Sequence, residues 1–128
     1  MPQLLFKDRA DQALTQFQDR KIIHSESFAN YFGLESQGIK QIRGNGILIL
    51  TEKELYFELY LPKKTITIPI NEIIKIETPR SHLGKSKYKK LLKIIFTNQN
   101  QEKDSVAWLV KQLPRWIENI ENIIEKKR

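Results

Sequence analysis

The chain contains no cysteine and only two histidines, so it is poor in the residues that carry most enzyme and metal chemistry. Without cysteine there can be no disulfide, no thiolate metal site and no cysteine nucleophile. No HExxH, GxSxG or GxxxxGKS/T pattern occurs, and Gly84-Lys85-Ser86 lacks the second glycine of a phosphate loop. His82 and Asp104 could meet across a sheet, although their positions do not require it. We therefore expect a non-enzymatic protein with no catalytic residue, no metal site and no cofactor.

Long hydrophobic runs are also missing. No stretch approaches the roughly 20 apolar residues of a transmembrane helix. The N-terminus, MPQLLFKDRADQ, is too acidic and too short in apolar residues for a signal peptide. We expect one domain of 128 residues, large enough to bury a core, in a cytoplasmic protein that could lie peripherally at the inner membrane surface.

Acidic residues are absent from one segment, residues 79–93, which we call the basic segment. It carries six of the 22 basic side chains and none of the 15 acidic ones, although the net charge of the whole chain is only +7. The chain therefore has one basic segment rather than a basic character. Its cations are Arg80, Lys85, Lys87, Lys89, Lys90 and Lys93.

Residues 42–61 predict a β-hairpin around which the other strands are arranged. Residues 47–50 form an apolar run without alternation, which is typical of an inner strand covered on both faces, and Gly44 and Gly46 mark a bend or a place with no room for a side chain. Residues 55–61 alternate between apolar and polar positions. The alternation places Tyr56, Glu58 and Tyr60 on an outward face, where an exposed tyrosine pair could belong to a protein interface.

Further strands are predicted on both sides of this hairpin. Residues 65–70 alternate isoleucine with threonine and Pro69, and a proline near the end of a strand favours a sheet edge. Ile74 and Ile76 alternate with Lys75 and Glu77 in the next strand. The remaining predicted strands cover residues 22–34, 39–43, 92–97 and 106–110.

Two helices are predicted, one at each end. Residues 5–20 have a narrow apolar face that we expect to lie along the domain or its partner. The C-terminal helix places Trp116 on one face with Leu113, Ile117 and Ile120, which indicates a core position. The predicted organisation is an N-terminal helical extension, 1–21, followed by a β domain, 22–128.

About seven short strands without crossover helices must pair antiparallel. The sequence therefore predicts a mainly β fold, a half-open barrel or orthogonal sandwich capped by the C-terminal helix, with an extra N-terminal helix. The stretches GNGILILTEKELYF, ITIPINEIIKIE, LLKIIF, VAWLV and LPRWIENI resemble the pleckstrin-homology-like superfamily, which includes GRAM and bacterial branches. ANYFGLESQGIKQIRGNGILILT and PRSHLGK are more closely similar to an uncharacterised bacterial group within it.

This resemblance covers roughly residues 22–124. It implies a seven-stranded half-open barrel with a capping helix, and a binding module for phosphoinositides, proteins or peptides. Members that bind phosphoinositides carry a basic motif on the first hairpin loop. Here that region offers only Lys40 and Arg43, so the resemblance does not carry the inositol phosphate site to this chain.

The basic segment is the leading candidate site, because clustered cations without a competing carboxylate can neutralise phosphates. A solvated basic loop is the alternative reading of the same residues. Nucleic acid is disfavoured, since no recognition helix or RNA-binding motif accompanies the charge. A protein-interaction scaffold that uses the sheet edge 65–70 by strand addition is the second candidate function. The predicted contacts to an anionic lipid headgroup or phosphorylated ligand are Arg80, His82, Lys85, Lys87, Lys89 and Lys90.

Overall fold

Nine strands and two helices are found in the part of the chain that the structure, a computed structural model, describes: residues 2–38, 43–86 and 89–127. The helices are α1 (Pro2–Thr15) and α2 (Leu113–Lys126). The strands are β1 (Ile22–Leu34), β2 (Gly44–Thr51), β3 (Glu54–Leu59), β4 (Lys64–Pro69), β5 (Ile73–Glu77), β6 (Ser81–His82), β7 (Lys85–Ser86), β8 (Leu92–Thr97) and β9 (Lys103–Leu109).

Seven of these strands form one antiparallel sheet in the order β4-β3-β2-β1-β9-β8-β5, and β6 pairs with β7 in a separate two-stranded hairpin. The long strand β1 joins the two halves, since it pairs with β2 along its first part and with β9 along its last. The sheet is not closed, and β4 and β5 lie at its two edges. The predicted mainly β architecture with a helix at each end is confirmed.

The apolar run at residues 47–50 lies in β2 and is fully buried, as expected for an inner strand. Gly46 is part of β2 and marks a close approach. A Cβ placed there would lie 2.3 Å from the Glu58 carbonyl oxygen and 2.5 Å from the Phe57 ring. Only glycine fits at this position because the backbone and the ring of β3 occupy the space.

The main core lies on the inner face of the sheet, under α2. Trp116, Ile120 and Ile123 of α2 are buried against it, as are the inward residues of β2, β3, β8 and β9. The prediction that Trp116 is a core residue is confirmed, because its side chain is fully buried. Helix α2 therefore caps the open end of the curved sheet.

A second, smaller core lies on the outer face, where α1 packs across β2 and β3. Ala10 and Ala13 of α1, and Phe17 in the turn that follows it, are buried against Tyr56 and Tyr60. The prediction of an exposed tyrosine pair is therefore wrong. Both side chains point away from the main core, but α1 covers them. Helix α1 lies along the domain, and it ends earlier than predicted.

Strand β5 departs from the predicted alternation. Its pairing with β8 shifts register between Ile73 and Lys75, so the side chains on either side of the shift exchange faces. Ile74 is 56% exposed, whereas Ile73 and Ile76 pack on the main core. The expectation that Ile74 and Ile76 share one face is wrong for this reason.

The predicted strand 39–43 falls mostly outside the described residues, and Arg43, its last residue, is irregular. No helix within the described ranges has the length and apolar character needed to span a membrane.

Candidate functional site

The basic segment is built around the β6–β7 hairpin. Ser81 pairs with Ser86 and His82 with Lys85, and the two residues between the strands both have positive φ, 53° at Leu83 and 78° at Gly84. Two consecutive residues of this kind form the tight turn whose twist matches a hairpin. Gly84-Lys85-Ser86 is accordingly a turn and its return strand.

His82 fastens this hairpin to the sheet. Its side chain is only 4% exposed, and its ring Nε2–H donates to the Gly33 carbonyl of β1 over 2.9 Å. Gly33 sits at the register shift of β1 with a φ of 114°. The expectation that His82 contacts an anionic ligand is therefore corrected, because its ring is turned into the protein.

The base of the segment is closed by Leu91, whose N–H donates to the Pro79 carbonyl over 2.7 Å. The Leu91 side chain is buried with Phe32 and Ala107 on the outer side of the sheet. Both ends of the segment, at His82 and at Leu91, are therefore anchored to the sheet.

Arg80, Lys89 and Lys90 are exposed on this surface. Lys85 lies in β7, and its side chain is outside what the structure describes; Lys87 lies outside the described residues. Of the five predicted site lysines and arginines, the structure thus places three at the surface and a fourth, Lys85, in the backbone of β7.

Lys93 has a carboxylate beside it. Strand pairing sets Glu77 opposite Lys93, with 3.9 Å between the Lys93 Nζ and a Glu77 oxygen. The Lys75 Nζ lies 3.2 Å from the other Glu77 oxygen. Glu77 is just outside the basic segment in sequence, so only the β5–β8 register reveals that it offsets the charge of Lys93.

Arg43, one of the two cations that the sequence resemblance singled out, makes its contacts within the protein. It donates to Asn30 Oδ1 over 3.2 Å, and its guanidinium lies 4.3 Å from the centre of the Phe32 ring. Lys40 lies outside the described residues.

His82 and Asp104, the two residues considered for catalysis, are engaged with different partners. Asp104 accepts hydrogen bonds from the Ser36 N–H at 3.0 Å and the Ser36 hydroxyl at 2.7 Å. Within the described ranges there is no cluster of three or more residues of the types His, Cys, Asp and Glu that could hold a metal ion.

A second concave feature, which we call the seam groove, runs beside the edge strand β4. It encloses about 490 Å³ between β4 and the turn formed by residues 98–101. Its apolar lining residues are Pro69 and the largely buried Leu34, Ile66 and Phe96. The sequence indicated the edge strand through Pro69, but it gave no sign that the 98–101 turn would face this strand.

No protein-family model and no curated protein matches the chain. Among solved structures, it is similar to one described as the C-terminal domain of an unknown protein from Leishmania infantum. The TM-score is 0.62 at 12% sequence identity, and the match covers 92% of this chain and 96% of the other. At this identity the likeness concerns the fold alone.

Proposed function

We propose that this chain is a non-enzymatic, pleckstrin-homology-like binding module that docks on an anionic membrane surface through the basic segment. The superfamily assignment rests on the sequence resemblance, and the open seven-stranded sheet with its capping helix is consistent with it. On this proposal the protein works at the inner face of a membrane as a peripheral component.

The anchoring of the hairpin is the observation that carries this proposal. His82 and Leu91 are buried, while Arg80, Lys89 and Lys90 between or beside them are exposed. Cations held in this way lose less conformational freedom on docking than cations on a free loop. No carboxylate occurs within the segment to compete with a phosphate.

The expected affinity is modest. A basic side chain near an anionic membrane contributes about 1 kcal/mol. Since His82 is buried and Lys93 faces Glu77, we count only four lysines of the segment: Lys85, Lys87, Lys89 and Lys90. Together they would contribute a few kcal/mol, which supports reversible docking but not stable anchoring.

Vesicle sedimentation tests the proposal with neutral and anionic vesicles at low and physiological salt. The wild type should bind only anionic vesicles, and binding should weaken steeply with salt because exposed charges are screened. A variant with Lys85, Lys87, Lys89 and Lys90 changed to Glu should bind at least about tenfold more weakly, given about 1 kcal/mol per cation.

A matched control carries the same change of charge elsewhere, at four exposed lysines on other parts of the surface: Lys53, Lys63, Lys103 and Lys111. This control should keep most of the binding if location matters more than net charge. Equal loss in both variants, or no preference of the wild type for anionic vesicles, would eliminate docking through the basic segment and leave a solvated loop.

A further inference from the structure

Among the strands that the structure describes, the edge strand β4 has a neighbour on one side only. It pairs with β3 in continuous register from Glu54–Pro69 to Leu59–Lys64, and within the described residues the seam groove lies along its other side. Thr65, Ile66 and Thr67 all line the groove. Since successive side chains of a strand point to opposite faces, a cavity lined by all three must run along the backbone edge.

The register identifies which backbone groups of β4 face the groove. Ile70 follows β4, and its N–H donates to the Lys53 carbonyl over 2.9 Å, on the β3 side. The N–H and C=O groups of successive strand residues alternate in direction. The backbone groups of Ile66 and Ile68, which lie four and two residues before Ile70, therefore face β3. The backbone groups of the alternate residues Thr65 and Thr67 face the groove.

Pro69 supports this assignment. It falls in step with Thr65 and Thr67, on the side that does not pair with β3. A proline is tolerated in a sheet where its missing N–H would face away from the neighbouring strand. The β3–β4 ladder consequently loses no hydrogen bond at this position.

The opposite wall of the groove is polar but almost uncharged. The turn 98–101 brings two asparagines and two glutamines to it, and Ser36 lies beside them. The lining residues include no lysine, arginine or histidine, and their only carboxylates are Glu72 and Asp104. Asp104 is 3% exposed and bonded to Ser36, so Glu72 is the carboxylate that a ligand would meet.

We propose that the seam groove binds an extended, uncharged peptide segment, which adds to the sheet as a further strand beside β4. Thr65 and Thr67 hold its backbone, Leu34, Ile66 and Phe96 contact its apolar side chains, and the amides of the 98–101 turn contact its polar ones. Strand β4 has six residues and would align with a segment of about five. Glu72 and the lack of basic lining residues exclude an anionic ligand here, which separates this site from the basic segment.

The test is a titration of the ¹⁵N-labelled protein with a blocked pentapeptide of alternating threonine and valine, followed by NMR. Shifts are expected at Thr65, Thr67 and residues 98–101, and not at Lys89 or Lys90. The dissociation constant should change less than about twofold between low and physiological salt, because no ion pair is involved.

Two variants of one residue test the backbone contact. Thr67→Pro removes the N–H that faces the groove and leaves the ladder to β3 intact, whereas Thr67→Val keeps that N–H and removes only the hydroxyl. Thr67→Pro should weaken binding at least about tenfold, the loss expected when a donor is removed from a paired strand. Thr67→Val should bind like the wild type.

Peptides methylated at alternate backbone nitrogens test the same contact without changing the protein. One methylation pattern should abolish binding and the other should not, since only alternate peptide N–H groups face β4. Equal effects of the two patterns, equal binding by the two Thr67 variants, or shifts confined to other surfaces would overturn the proposal. So would concentration-dependent dimerisation that protects β4, because a second copy would then fill the groove.

Discussion

At the scale of single residues, Trp116 makes contacts through both its indole N–H and its ring. Its indole N–H donates to Glu26 Oε1 over 3.2 Å, and its ring stacks on His24 with 4.1 Å between ring centres. The same Glu26 carboxylate accepts from the Lys111 N–H, just before α2. Trp116 therefore fixes α2 to β1 in addition to filling the core.

We expect Trp116→Ala to lower the free energy of unfolding by about 3–5 kcal/mol, through lost burial and a cavity. That is a large part of the roughly 5–15 kcal/mol typical of a domain. Denaturant unfolding measures it, and Glu121→Ala, an exposed position of α2, serves as the control and should change stability by less than about 0.5 kcal/mol. An unchanged melting temperature for Trp116→Ala would contradict the core role.

His24, beside Trp116, is held in its neutral form. Burial, and to a smaller extent the Arg115 charge, lower its pKa from the usual 6.5. The Asn119 side chain lies 3.1 Å from the His24 Nδ1, and an amide N–H that donates there requires an unprotonated nitrogen. Protonation would remove this acceptor and add a charge beside Arg115.

Because the folded state binds this proton less readily than the unfolded chain, stability should be fully present above the unfolded pKa, about 6.5, and should fall as the pH drops below it. The expected effect is a modest decrease in melting temperature between about pH 7 and pH 5. His24→Gln should lose this part of the pH dependence, and the rest of the pH dependence should be unchanged. An equal change in melting temperature with pH in the wild type and in His24→Gln would contradict this role of His24.

At the scale of secondary-structure elements, α1 covers a face that would otherwise be costly to expose. Phe17, in the turn that directly follows α1, packs on Tyr56 with 5.1 Å between ring centres. Under the helix, Glu58 is 4% exposed, accepts from the Tyr56 hydroxyl at 2.9 Å and lies 3.4 Å from the Arg9 guanidinium. Removing one partner of such a buried pair leaves an uncompensated charge. Because Arg9 belongs to α1, undocking of the helix would leave Glu58 without this partner.

Phe17→Ala should therefore loosen α1 specifically. Truncating a buried phenylalanine costs about 3–5 kcal/mol, and here the cost falls on the docking of one helix. Hydrogen exchange should accelerate in α1 while the main core stays protected. Burial, together with the Glu58 charge, raises the pKa of Tyr60 to about 12, and this pKa should fall toward 10 in the variant.

Gln12→Ala is the matched control for this change, since Gln12 is an exposed residue of α1. It should leave both the exchange rates and the tyrosine titration as they are in the wild type. If Phe17→Ala raised exchange uniformly across the sheet, α1 would be part of the main cooperative unit rather than a separately docked cover.

At the scale of the whole molecule, the two proposed binding surfaces share no residue and differ in charge. The basic segment holds six of the 22 basic residues and no carboxylate, and the seam groove has no basic lining residue. Binding at the first should depend steeply on ionic strength, and binding at the second should not. The two surfaces would allow a membrane and a peptide to be held by one domain.

The sequence by itself determined most of the elements. Alternation in β3 and β4, the unbroken apolar run in β2 and the apolar stripe of α2 are local patterns, because a period of two or of 3.6 depends only on neighbouring residues. For the same reason the sequence placed Trp116 in the core and Pro69 at a sheet edge. The location of the net positive charge is likewise a property of the sequence alone.

Only the tertiary structure decided what each face meets. Tyr56 and Tyr60 are buried because α1, distant in sequence, lies on them, and His82 is buried because Gly33 of β1 accepts its hydrogen bond. Glu77 offsets Lys93 through strand register, and the 98–101 turn forms the seam groove only because the sheet stays open beside β4. Each of these contacts joins residues far apart in the chain, and periodicity carries no information about which distant element covers a given face.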